Sequence, residues 1–91
     1  MKMVTQKRLQ ELFIYDPETG VFTWRKRRAG TARAGSIAGR FHNKKRRQIG
    51  VDGVLYNAGV LAWTYVTGTF PQQPVDHKNR DGDDNRFVNL R

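Results

Sequence analysis

Apolar residues recur at helical spacing at the start of the chain, where Leu9, Leu12 and Phe13 share one face of TQKRLQELFIY, residues 5–15, behind a Thr5 cap. The spacing predicts a short amphipathic helix. DPETG, residues 16–20, ends it, because Pro17 and Gly20 suit a turn and the Asp16 side chain can bond its own backbone. VFTWRK then has the aromatic and β-branched content of a strand, with Trp24 read as core. Residues 27–45 hold too few large apolar side chains to bury themselves, and read as a mobile loop with a short strand near Ile37. RRQIGV, Asp52-Gly53 and VLYNA predict a β-hairpin, since Asp-Gly tolerates the positive φ angles of a tight two-residue turn. AGVLAWTYVTG, residues 58–68, predicts a second helix that packs Leu61, Ala62 and Tyr65 on the sheet, with Trp63 also core and Gly68 as the stop. FPQQP follows as a rigid exposed link, and PVDH as a short strand.

Length and charge narrow the picture. A chain of 91 residues holds one modest core, so a single domain is expected. With no cysteine and two histidines, thiolate metal centres and a structural zinc finger are excluded. No apolar run reaches the length of a membrane span, and the N-terminus does not read as a signal peptide, so the expectation is a cytoplasmic protein without a membrane partner. The net charge of +9 favours a polyanionic partner, and its distribution sharpens that reading. Between Val21 and Val51 there is no acid, while ten of the seventeen Lys and Arg lie there: Arg25, Lys26, Arg27, Arg28, Arg33, Arg40, Lys44, Lys45, Arg46 and Arg47. A solvated loop needs fewer cations than this, so the block reads as a surface for the phosphates of a nucleic acid. His42, lying among these cations, is expected to touch phosphate as well. Strands presenting Arg25, Arg27, Arg46 and Arg47 would suit the major groove.

Four of the eight acids, by contrast, fall between Asp76 and Asp84, around His77. An imidazole titrating near neutrality can take a proton from water, and the carboxylate of Asp76 is a hard oxygen ligand suited to Mg²⁺ or Mn²⁺. Adjacent residues of a strand face opposite ways, so the pair can serve one site only where the strand twists or ends. By itself the pair reads more readily as a surface carboxylate beside a partly packed histidine. Asp81, Asp83 and Asp84 read as a solvated turn hinged at Gly82, and Asn85 and Asn89 as loop caps.

The closing stretch VDHKNRDGDDNRFVNLR, residues 75–91, closely resembles the HNH endonucleases, the ββα-metal or His-Me finger nucleases of bacteriophages and homing elements. YDPETGVFTWR, the basic loop and VDGVLYNAGVLAWTYVTGTFP extend the likeness, in the layout of phage members whose first half resembles an AP2-type DNA-binding sheet and helix. The resemblance implies a DNA-binding part over residues 1–70 and the first part of the HNH motif over 71–91. The expected fold is thus α+β, a small antiparallel three-stranded sheet with packed helices followed by a partial ββα-metal motif. It further implies that His77 is the general base, that Asp76 binds one divalent ion, and that Asn89 holds the loop so that His77 is oriented. Asp84, Asn85 and Arg86 match a loop with no direct part in chemistry.

Two departures stand out. Relatives continue beyond the NLR segment into a helix that carries a last ligand, whereas this sequence stops at Arg91, so a truncated and weakly active or inactive chain is expected. Gly59 and Val60 stand where relatives commonly have His and Arg, so a cation expected to face DNA or the edge of the site is missing there. The resulting expectation is a metal-dependent DNA nicking endonuclease, with a non-catalytic DNA-binding protein as the alternative. A basic ribosome- or RNA-associated protein would account for the charge and leave the Asp-His pattern unexplained.

Overall fold

Thr5 starts the first helix, α1 (Gln6–Leu12), by accepting a hydrogen bond on its hydroxyl from the Arg8 amide at 3.1 Å. The computed structural model describes residues 3–27, 33–42 and 45–91. Helix α1 is shorter than its apolar spacing predicts. Phe13 is extended, with φ −130° and ψ 156°, and the aromatic and β-branched run that follows forms strand β1 (Phe13–Asp16). Its residues alternate, Phe13 and Tyr15 inward and Ile14 and Asp16 outward. The strand pairs antiparallel with β2 (Val21–Trp24), Phe13 opposite Trp24 and Tyr15 opposite Phe22. What the pattern places in the last turn of a helix is one half of a hairpin.

Gly20 closes the turn of that hairpin at φ +75°, donating its amide to the Asp16 carbonyl at 2.7 Å. A Cβ there would lie 2.3 Å from the backbone of Asn85 and Arg86, so only glycine lets the turn approach the C-terminal segment. Ile37 forms a single bridge to Thr23 and no longer strand. The strand expected in that region lies further on, at β3 (Arg40–His42).

The three-stranded sheet consists of β3, β4 (Arg46–Val51) and β5 (Val54–Asn57), with β4 in the centre, and VFTW is not part of it. Asp52 and Gly53 take φ +51° and +82°, the positive angles required by a tight hairpin turn. Asp52 also receives Nε and Nη2 of Arg8, at 2.9 and 2.8 Å, which ties α1 to this turn. Helix α2 (Ala58–Thr67) follows β5 directly and ends at Gly68 in the left-handed conformation. It buries Ala58, Gly59, Leu61, Ala62 and Thr64, while Tyr65 donates its hydroxyl to the Phe13 carbonyl at 3.1 Å.

The core gathers Leu9, Phe13, Phe22, Ile49 and Leu61, all nearly without exposure, from both helices and both sheets. Each such side chain contributes about 1.5–3 kcal/mol on burial, so this shared centre joins the two sheets into one unit. The C-terminal stretch then wraps back. His77 bridges antiparallel to Leu90, Asp76 and Arg91 exchange backbone hydrogen bonds at 2.9 and 3.0 Å, and a 3₁₀ turn spans Phe87–Asn89. No helix is long and apolar enough to cross a membrane among the described residues.

Candidate functional site

The bridge between His77 and Leu90 sets the backbone of the site, and the loop between them folds over the start of α2. Nε2 of His77 lies 2.8 Å from Oδ1 of Asn85. A carboxamide oxygen only accepts, so in this arrangement Nε2 carries the ring proton and Nδ1 keeps the lone pair. The same imidazole rests on Gly59 in the first turn of α2, where a Cβ would come within 3.4 Å of both Cε1 and Nε2. Gly59, noted above for lacking a side chain found in relatives, is where the histidine ring packs.

Asn85 is 1 % exposed, and its Nδ2 is buried without a hydrogen-bond partner. Its carbonyl oxygen accepts the Tyr15 hydroxyl at 2.5 Å. Burial, together with the charges of Asp16 and Asp84, pushes the Tyr15 hydroxyl up to about 12 and keeps it a donor at neutral pH. Asn85, expected to belong to a loop with no direct part in chemistry, is a residue whose side chain touches the His77 ring.

Asn89 lies 5 % exposed under the loop and bonds it at three points. Its Nδ2 donates to Oδ1 of Asn79 at 2.9 Å and to the carbonyl of Asp84 at 2.8 Å, while its Oδ1 accepts from the Asn79 amide at 3.1 Å. Asp84 receives Nε and Nη2 of Arg86 at 2.8 and 2.7 Å and Nδ2 of Asn79 at 2.7 Å. The Arg86 guanidinium, assisted by Asn79 and the Arg86 amide, holds the Asp84 carboxyl down at about 2. Asp84 is therefore an ionised hub of the loop instead of a solvated turn residue.

The strand expected over PVDH is reduced to the single bridge at His77, and Asp76 just before it has its side chain 65 % exposed. Its Oδ2 accepts Nε and Nη2 of Arg91, both at 3.2 Å, and its Oδ1 accepts the amide of His77 at 2.9 Å. These partners, Arg91 foremost, keep the carboxyl below the usual carboxylate range. No group of three or more His, Cys, Asp and Glu is arranged to hold a metal ion among the described residues. The available donor is one ionised, accessible carboxylate beside the histidine, which fits an ion that retains most of its waters.

The cations divide by strand register. Residues directly opposite in an antiparallel pair share a face. Arg40 with Gln48 and Asn57, and His42 with Arg46, therefore line the outer face of the three-stranded sheet, while Arg47 shares the inner face with Ile49. Arg47 is 24 % exposed and engaged: Nε meets Oδ1 of Asp83 at 2.6 Å, and Nη1 donates to the Gly39 carbonyl at 3.0 Å. Arg46 and Arg47 thus do not face one partner together. Arg25, beyond the end of β2, donates Nε to the Gln10 carbonyl at 2.6 Å and is not part of the three-stranded sheet. Lys26, Arg27, Arg33, Arg40, Lys45 and Arg46 are exposed, whereas Arg28 and Lys44 lie outside the described residues.

Compared with known proteins, residues 56–91 match a family model described as HNH endonuclease. No curated protein and no solved structure matches the chain. The matched stretch takes in α2 with Gly59, the loop held by Asn89, and the bridge that carries His77. Over residues 56–91 the chain is similar to the HNH endonuclease family.

Proposed function

We propose that the protein is a metal-dependent endonuclease of double-stranded DNA that hydrolyses one phosphodiester per site and so nicks its substrate. The observation that carries this reading is His77, anchored through Nε2 to Asn85 with Nδ1 left as acceptor, in a stretch matching the HNH family. His77 takes a proton through Nδ1 from a water whose oxygen forms a bond to phosphorus. The bond from phosphorus to the 3′ oxygen breaks, and that oxygen gains a proton from solvent. Asn89 keeps the loop, and with it the histidine, in place. Asp76 would hold Mg²⁺ or Mn²⁺ as a single carboxylate ligand, the remaining positions falling to water and phosphate. When bound, such an ion supplies positive charge against the negative charge that builds on the phosphate.

The outer sheet face supports the DNA-binding half of the reading, since it presents Arg40, His42 and Arg46 in one array. A two-stranded ribbon of this width fits a major groove. One observation favours the alternative of a DNA-binding protein without nuclease activity: Arg91 occupies Oδ2 of Asp76. Supercoiled plasmid incubated with the chain and Mg²⁺ or Mn²⁺, beside His77→Ala and an EDTA control, decides between them. Metal-dependent nicking that disappears in His77→Ala is expected. DNA binding without nicking in either metal overturns the nuclease reading and leaves the alternative.

A further inference from the structure

Asn85 is a residue in contact with the imidazole that the nuclease reading makes the base. Its side chain is buried with half of its amide unpartnered, an arrangement that costs free energy. A leucine would fill a similar volume without that cost. What the amide adds is an oxygen 2.8 Å from Nε2 of His77. The backbone of Asn85 is gripped from outside the matched family stretch, by the Tyr15 hydroxyl on its carbonyl and by the Gly20 turn pressed against the Asn85–Arg86 peptide. Phe87 is tied to the same turn through its amide and the Pro17 carbonyl, at 3.3 Å. Tyr15, Asn85 and His77 form a relay of contacts from the first hairpin to the imidazole.

We propose that Asn85 is a positioning residue for His77: its Oδ1 fixes the Nε2–H tautomer and the ring direction, and the Tyr15–Gly20 hairpin fixes Asn85. An acceptor on one imidazole nitrogen determines which nitrogen keeps the lone pair, so Asn85 acts by aiming Nδ1 at the water. The proposal rests on the nuclease reading for its catalytic consequence and on geometry alone for the contact itself.

The test compares the full chain with Asn85→Leu and Asn85→Asp, the second of which keeps an acceptor oxygen. Nitrogen-15 multiple-bond spectra above the histidine titration range report the tautomer, and plasmid nicking reports kcat and KM. In the parent, His77 is expected as a single Nε2–H tautomer with a ring proton slow enough in exchange to be seen. In Asn85→Leu that proton is expected to vanish and kcat to fall about tenfold or more, with DNA affinity within about twofold, because misaiming the base slows the chemical step and spares binding. Asn85→Asp is expected to restore the single tautomer and most of the rate. An Nδ1–H tautomer in the parent overturns the proposal and needs no variant to fold. So does an Asn85→Leu chain with unchanged tautomer and unchanged kcat. A parent that holds the Nε2–H tautomer but does not nick sustains the contact while removing the nuclease reading, so the two failures are told apart.

Discussion

Arg47 and Asp83 form an ion pair of 2.6 Å between Nε and Oδ1, with a second approach of 3.4 Å from Nη2 to Oδ2. The pair joins the most basic part of the sequence to its most acidic part. The Arg47 amide also donates to the Gly82 carbonyl at 3.4 Å, so the acidic loop is docked along the start of β4. Of the four acids that crowd the histidine, Asp83 anchors the loop to the sheet, Asp84 organises it from within, and Asp76 is the exposed carboxylate next to His77. The charge asymmetry of the chain therefore serves its own architecture.

Removing that anchor is expected to cost little globally and more locally. The pair is part exposed, with 35 % of the Asp83 side chain accessible, so Asp83→Ala is expected to lower stability by about 1 kcal/mol. Urea unfolding gives the global value, and amide exchange of residues 79–84 the local one. Exchange no faster than in the parent would show that the ion pair does not hold the loop.

Acid dissects the Asp84 hub. Its folded carboxyl lies at about 2, below the ordinary 3.8, chiefly through Arg86. A depressed carboxyl stabilises the fold above its unfolded value, and that contribution is lost as pH falls from 3.8 through about 2. Asp84→Asn is therefore expected to be less stable than the parent near neutrality, with the two converging towards pH 2. Urea midpoints taken across this window measure the difference, and a constant gap would place the stabilisation elsewhere than in the charge.

Tyr15 responds at the opposite end of the scale. Its hydroxyl is raised from 10.0 to about 12, so the associated stability is complete below pH 10 and lost as pH rises through 12. Ultraviolet titration is expected to show one of the three tyrosines ionising late. Tyr15→Phe leaves the Asn85 carbonyl without its donor, at a cost of about 1–3 kcal/mol for an unsatisfied buried group. A late transition that survives in Tyr15→Phe would assign it to another tyrosine.

Much of this was legible from local pattern. The Asp-Gly turn, α2 and its Gly68 stop are dictated by residues adjacent in sequence, and the structure has them as the spacing predicts. The end of α1 was not, because Leu9, Leu12 and Phe13 fit a helical face and only the pairing of Phe13 with Trp24 takes Phe13 into a strand. Asn85 was illegible for a related reason. Its neighbours Asp84 and Arg86 are polar and solvent-suited, and nothing in the period of a loop distinguishes the one residue that turns inward. Its one local signal is an amide between two charges near a histidine, which gains meaning only when the loop closes. The division of Arg46 from Arg47 follows from strand parity, yet parity had to be anchored by the burial of Ile49.

That parity yields a contrast between neighbouring arginines. Arg46 points to the outer face with Arg40 and His42 and is exposed, whereas Arg47 is spent on Asp83 and the Gly39 carbonyl. Affinity for duplex DNA is expected to fall steeply with salt, because each phosphate contact releases condensed counterions. Arg46→Gln is expected to weaken binding and to reduce the slope of log affinity against log salt by about 1, as loss of one phosphate contact requires. Arg47→Gln is expected to lower stability while leaving the slope near that of the parent. Fluorescence anisotropy on a short duplex, repeated over a range of salt, measures both slopes. Equal losses in the two variants would mean that Arg47 leaves Asp83 for the phosphate when DNA binds, and an unchanged parent affinity between low and physiological salt would remove phosphate contact from the account altogether.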